Sequence, residues 1–117
     1  MFVLQGVWNG GELDSSATPY VVPTGKRLVM QFVSGYATIG AGDKILLTSF
    51  GNDLLPMQDM GHGPREGQGD WEHFQGAQQV VSVFDSNYAV YGSCRRGDSN
   101  TSGNWAVVVH GYLEDMP

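Results

Sequence analysis

The stretch Gly25 to Gly35, GKRLVMQFVSG, constrains the chain more than any other. Its apolar residues repeat with a period of two, which is the period of a strand, where successive side chains point to opposite faces. Leu28, Met30 and Phe32 fall on one face, and that face is apolar enough to require a core. Arg27, Val29, Gln31 and Val33 fall on the other, a mixed face that expects partial cover or a partner. Pro23 and Gly25 punctuate the start and Ser34-Gly35 the end. A bulge at Ser34-Gly35 would let Tyr36 to Ile39 continue the same strand.

The remaining segments read alike. Phe2 to Trp8 (FVLQGVW) predicts a first strand tied into a sheet, followed by a turn at Asn9-Gly10-Gly11. Pro19 to Val22 predicts a short edge piece, because proline cannot donate to a ladder. Lys44 to Phe50 and Gln79 to Asp85 predict strands. Ser86-Asn87 predicts a hairpin turn, with Tyr88 to Cys94 returning as the partner of Gln79 to Asp85. Asn104 to Leu113 (NWAVVVHGYL) predicts the last strand, with Trp105, Val107, Val109 and Leu113 on one face. Gly51 to Gln78 has no clear period, and Leu54 to Met57 and Trp71 to Gln75 are its candidate hidden strands. No segment carries a helical apolar stripe. Seventeen glycines and this spacing of short strands predict an all-β fold. The expected form is a two-sheet antiparallel β-sandwich, jelly-roll-like, with one domain over residues 1–117.

Charge narrows the partners. Only 15% of the residues are charged, against about 25% in average domains. Such a surface is either neutral and polar or partly hidden between subunits, so a homo-oligomer is expected. Six basic residues against 12 acidic ones leave a net charge of −6. That opposes nucleic acid, which needs a basic footprint, and anionic membranes. No apolar run is long enough for a membrane-spanning helix. The first residues lack a basic region, a long apolar segment and a cleavage site. The expectation is a chain that stays in the cytoplasm, is already mature, or leaves without a classical signal. Cys94 is the only cysteine, so no internal disulfide forms.

VPTGKRLVMQFVSG, Val22 to Gly35, and the closing Gly111 to Leu113 resemble a group of small bacterial β-sandwich domains, many of them exported and with no assigned chemistry. The resemblance implies the fold and lends no functional residues.

Several constellations can be weighed for chemistry. His62 to His73, HGPREGQGDWEH, is the densest polar cluster. His62, Glu66 and His73, with His110 from the last strand, are the candidate ligands of a metal-dependent, cupin-like enzyme. Against this, adjacent Glu72 and His73 would point to opposite faces of a strand. Arg95 and Arg96 follow Cys94 and could lower its pKa, although a small strand-end thiol is the plainer reading. Arg96, Gly97 and Asp98 begin the tetrapeptide RGDS in a predicted hairpin loop, a presentation suited to adhesion. Gly-Asp is also ordinary turn chemistry. Asn100-Thr101-Ser102 matches a glycosylation sequon.

The aromatics point to recognition. Trp71, between Asp70 and Glu72, is the candidate stacking platform for a sugar, with Asn52 and Asp53 on the same rim. Trp8 and Trp105 lie on apolar strand faces and are expected in the core. The leading expectation is therefore a non-enzymatic recognition or assembly module without a cofactor, binding a glycan or a protein surface as a homo-oligomer. The alternatives are the cupin-like enzyme and a structural subunit of a larger particle.

Overall fold

The computed structural model describes residues 2–8, 12–65, 69–97 and 102–116, and for residues 2, 4, 62, 64, 65, 69 and 70 the backbone alone. Among these residues the chain forms strands and no helix. In chain order they are β1 (Phe2–Trp8), β2 (Asp14–Ser16), β3 (Tyr20–Val21), β4 (Lys26–Gly40), β5 (Ile45–Phe50) and β6 (Asp53–Leu54). There follow β7 (Gln58–Arg65), β8 (Gly69–Phe84), β9 (Ala89–Val90), β10 (Gly92–Arg96) and β11 (Gly103–Asp115).

The pairing is nested. β1 pairs with β11, β2 with β10, β3 with β9 and β4 with β8, all antiparallel, and β5 pairs with β6. The first half of the chain thus runs beside the second half in reverse. The nested pairs are shared between a five-stranded sheet, β1-β11-β4-β8-β7, and a four-stranded sheet, β2-β10-β5-β6. β3 and β9 form a separate two-stranded sheet. Trp8, Met30, Val33, Ile39, Trp105 and Val107 from the larger sheet join Phe50 and Cys94 from the smaller in one buried cluster. The result is an all-β, sandwich-like molecule, elongated to 53 × 24 × 23 Å.

Both expected core tryptophans are buried with their N–H groups satisfied. Trp8 Nε1 donates to the Leu13 carbonyl at 3.0 Å, and Trp105 Nε1 to Ser15 Oγ at 2.8 Å. A buried indole without such an acceptor would forfeit its hydration, so these bonds fix how the sheets meet at β1 and β2.

The central strand departs from simple alternation. Leu28 and Met30 are buried, but Phe32 is exposed and Val33 is fully buried. The bulge lies at Gln31, not at Ser34-Gly35. His110 pairs with Phe32 and Gly111 with Met30, so Gln31 has no partner on β11. On the other side Val80 and Val81 together oppose Gln31. Gly111 permits this: a Cβ there would lie 2.1 Å from the Val29 carbonyl oxygen. Each bulge inserts one residue and so reverses which side chains face the core. Leu113 pairs with buried Leu28 but stands near the end of β11 and is exposed, unlike Trp105, Val107 and Val109.

One further expectation is corrected, and another is met in part. Tyr88 to Cys94 does not return along β8. The turn at Ser86-Asn87 is closed by Tyr88 N–H to the Asp85 carbonyl, and Asn87 has φ 67°. Backbone bonds between Val22 and both Asn87 and Tyr88 then draw the chain to β3 and into the smaller sheet. Gly51 to Gln78 is mostly strand: Trp71 to Gln75 belongs to the 16-residue β8, and β7 forms its hairpin partner. Leu55 to Met57 is instead the passage between the sheets, where Leu55 is buried.

Candidate functional site

The outer face of the five-stranded sheet holds the most developed surface. Residues paired across antiparallel strands share a face, so the register gives its rows directly. One row runs Gln5, Ala106, Tyr36, Gln75, Gln58 across all five strands. Beside it run Val7, Asn104, Thr38, His73 on one side and Val3, Val108, Ser34, Ala77 on the other. None of these residues is an acid, a lysine or an arginine.

Tyr36 stands at the middle of this field and is 49% exposed. The small side chains Ser34 and Ala77 lie next to it in the register, so its ring is not hemmed in. A depression of about 500 Å³ lies on one side, lined by Ser34, Tyr36, Gln58, Met60, Gln75, Ala77 and Val108 among others. A second, of about 420 Å³, lies on the other, lined by Gln5, Val7, Tyr36 and Asn104 with Gly6 and Trp105. The aromatic ring is thus a ridge between two hollows, each carrying amide side chains. An amide offers two donors and an acceptor on a short stem. An exposed ring offers an apolar face with a polar tip. Together they match a ligand with alternating C–H faces and hydroxyl groups.

The expected site residues sit elsewhere. Trp71 is only 6% exposed, so its ring is covered and cannot serve as an open platform. Glu72 is also buried and accepts a hydrogen bond from the Gly42 N–H at 3.1 Å, which makes it a structural clamp on the β4–β5 turn. Asp70 lies in β8 opposite Pro64, and its side chain is outside the described residues. Asn52 is exposed in the turn between β5 and β6, and Asp53 accepts from Ser82 Oγ at 3.1 Å. Ser82 and Trp71 are both on β8, separated by roughly 35 Å at a strand rise of about 3.3 Å per residue. Asn52 and Asp53 therefore do not share a rim with Trp71.

The metal candidates are not gathered either. His73 pairs with Thr38 and His110 with Phe32, six residues or roughly 20 Å apart along β4. Both are exposed, and His73 Nδ1 lies 3.4 Å from Thr38 Oγ1. His62 is in β7, opposite Glu72, with its side chain outside the described residues, as is the whole of Glu66. Among the described residues no three His, Cys, Asp or Glu side chains come together as a metal site.

The RGDS reading loses its cation. Arg96 is fully buried, its Nε donates to the Glu12 carbonyl at 2.9 Å, and its guanidinium lies 5.3 Å from the Trp8 ring centre. Such a side chain is a core strut rather than an adhesion arm. Gly97 donates its N–H to the Lys44 carbonyl, while Asp98 lies outside the described residues, as do Asn100 and Thr101 of the sequon. The thiol of Cys94 faces the core against Thr48 Oγ1 at 3.2 Å, and burial pushes its pKa up to about 11. Neighbouring Arg95 turns outward and forms a two-bonded pair with Asp14, at 2.7 and 2.9 Å. Cys94 is thus an inert core residue.

Sequence reasoning passed over Tyr36 as a site because the bulge at Gln31 decides which way it points. The signal that remained legible was the run of small and amide residues around it on β4 and β8. Comparison with family models, with curated proteins and with solved structures gives no match for this chain.

Proposed function

We propose that this protein is a non-enzymatic recognition module that holds a neutral saccharide across Tyr36, on a jelly-roll-like two-sheet sandwich. The observation that carries the reading is the uncharged, amide-bearing row of Gln5, Tyr36, Gln75 and Gln58 between two hollows. A sugar ring lies with its C–H face on the tyrosine, and the flanking amides take up its hydroxyls directly or through water. The net charge of −6 disfavours anionic sugars, so the ligand is neutral. Glycosidic cleavage needs two carboxyl groups flanking the scissile bond, and these rows carry none, which favours binding over hydrolysis. The nested pairing supports the jelly roll: with β3 and β9 set aside, successive partner pairs fall in alternate sheets, as when a folded ribbon wraps around a core. On this reading β7, β3 and β9 are additions to an eight-stranded frame.

The test is calorimetric titration with a panel of neutral oligosaccharides, including gluco-, manno- and galacto-configured chains. Binding of at least one panel member is expected. Tyr36→Ala should weaken it at least tenfold, while Tyr36→Phe, which keeps the ring, should retain most of it. Gln75→Ala should cost roughly three- to tenfold, the loss of one or two hydrogen bonds. No binding across the panel, or binding indifferent to Tyr36→Ala, would sink the proposal.

A further inference from the structure

Tyr36 is on the middle strand of the five-stranded sheet, β1-β11-β4-β8-β7. In its row Gln5 stands two strands away on β1, and Gln58 two strands away on β7. At about 4.8 Å between strands each lies roughly 10 Å from Tyr36, and the row is roughly 19 Å long. β1 and β7 are the two edge strands of this sheet. The row therefore crosses the whole face, with an exposed amide side chain at each margin.

The two hollows lie on opposite sides of Tyr36 along this row. One takes Gln5 and Val7 on β1 with Asn104 on β11, and the other takes Gln75 on β8 with Gln58 and Met60 on β7. Tyr36 borders both. At about 420 and about 500 Å³, each hollow by itself reaches the size of a small-ligand pocket, about 300–1,000 Å³. A single sugar seated on Tyr36 reaches neither Gln5 nor Gln58. A ligand that uses both hollows and both margins is a chain, extended across the strands and passing over the tyrosine. The rows beneath it carry no acid, lysine or arginine, so no fixed charge along the track asks for a charged group on that chain.

We infer that the site takes an internal, linear run of a neutral polysaccharide lying across all five strands, and not a terminal sugar. The inference rests on the saccharide reading of Tyr36 and adds the form of the ligand. Recognition of a chain end needs a group that closes on the last ring. Among the described residues the row ends at the two edge strands, with no side chain in register beyond them to cap such a ring. The chain enters at one edge, crosses Tyr36 and leaves at the other. Hydrogen bonds from exposed amides contribute modestly one by one. A firm hold therefore needs several in series, and consecutive sugars supply them.

Calorimetric titration of the full chain with linear gluco-, manno- and galacto-oligosaccharides, each from disaccharide to hexasaccharide, tests this. In a series that binds, affinity should climb roughly tenfold or more from disaccharide to hexasaccharide, as added rings meet further amides. Converting the reducing-end ring of the hexasaccharide to the open alditol should leave Kd nearly unchanged, because the ends carry no contact. Gln5→Ala and Gln58→Ala alter exposed side chains at opposite margins. Each should weaken the hexasaccharide about threefold and bring the plateau to a shorter chain. Affinity complete at the disaccharide, or lost with the alditol, overturns the inference while Tyr36-dependent binding stands. So does a hexasaccharide indifferent to the loss of either glutamine. No binding at any length overturns the saccharide reading itself, and this inference with it.

Discussion

Single residues decide most of what this surface can do, and they do so through burial. Trp71, Glu72 and Arg96 carry the chemistry that recognition would want, yet all three are enclosed. Tyr36 is open, and it is the residue whose loss should silence saccharide binding without unfolding the chain. Cys94 offers a test of a different kind. Burial raises its pKa to about 11 from an ordinary 9.0. A group whose folded pKa is raised contributes stability that is fully present below its unfolded pKa and is lost as pH rises through the folded one. Stability should therefore decline between about pH 9 and pH 11, by up to roughly 2–3 kcal/mol. Cys94→Ala should flatten that decline, as read by denaturant titration at each pH, although it weakens the core at neutral pH. An alkaline decline identical in the variant would show that another group is responsible. At neutral pH the native thiol should resist alkylation until the protein unfolds.

At the scale of elements, the central question is how β4 changes face. Its 15 residues would alternate without interruption on a flat ladder, and Tyr36 would then share the core side with Leu28 and Met30. The unpaired Gln31 turns the second half over, which buries Val33 and Ile39 and releases Tyr36 and Phe32. Gly111 is the other half of the device, because its missing Cβ makes room for the Val29 carbonyl. Gly111→Ala should thus lower stability by at least about 1–3 kcal/mol, since the obstruction is backbone and cannot rotate away. It should also weaken saccharide binding more than a core substitution of equal thermodynamic cost, by disturbing the register that aims Tyr36. Chemical denaturation together with titration of the folded variant separates the two effects. A Gly111→Ala protein of wild-type stability would show that β11 can shift without cost.

The whole molecule is organised by pairs distant in sequence. β1 meets β11, and β2 meets β10, so the ends of the chain must find each other before the core is closed. Closing long loops costs entropy before contacts repay it, which slows folding. Stopped-flow refolding should give a main phase of milliseconds to seconds, as for other domains dominated by non-local strand pairing. A submillisecond phase carrying the full amplitude would contradict nested assembly as the limiting event. The same topology leaves β8 with an uncovered half, because β7 returns on only part of it.

Much of the architecture was written in local pattern. Period-two alternation, turn residues and the lack of any helical stripe were enough for an all-β chain, for the strands at Phe2–Trp8 and in β11, and for the burial of Trp8 and Trp105. Those features depend on neighbours in sequence, where side-chain direction follows directly from backbone geometry. The partner of each strand, the turn at Asn87 and the bulge at Gln31 depend on residues far away. Val22 captures the Asn87 turn from across the chain, and β11 and β8 impose the shift at Gln31 from either side. A one-residue slip inverts a face, so the candidate site was illegible where its orientation was decided. Tyr36 could be read as an aromatic on a strand; only packing against two other strands turned it toward solvent.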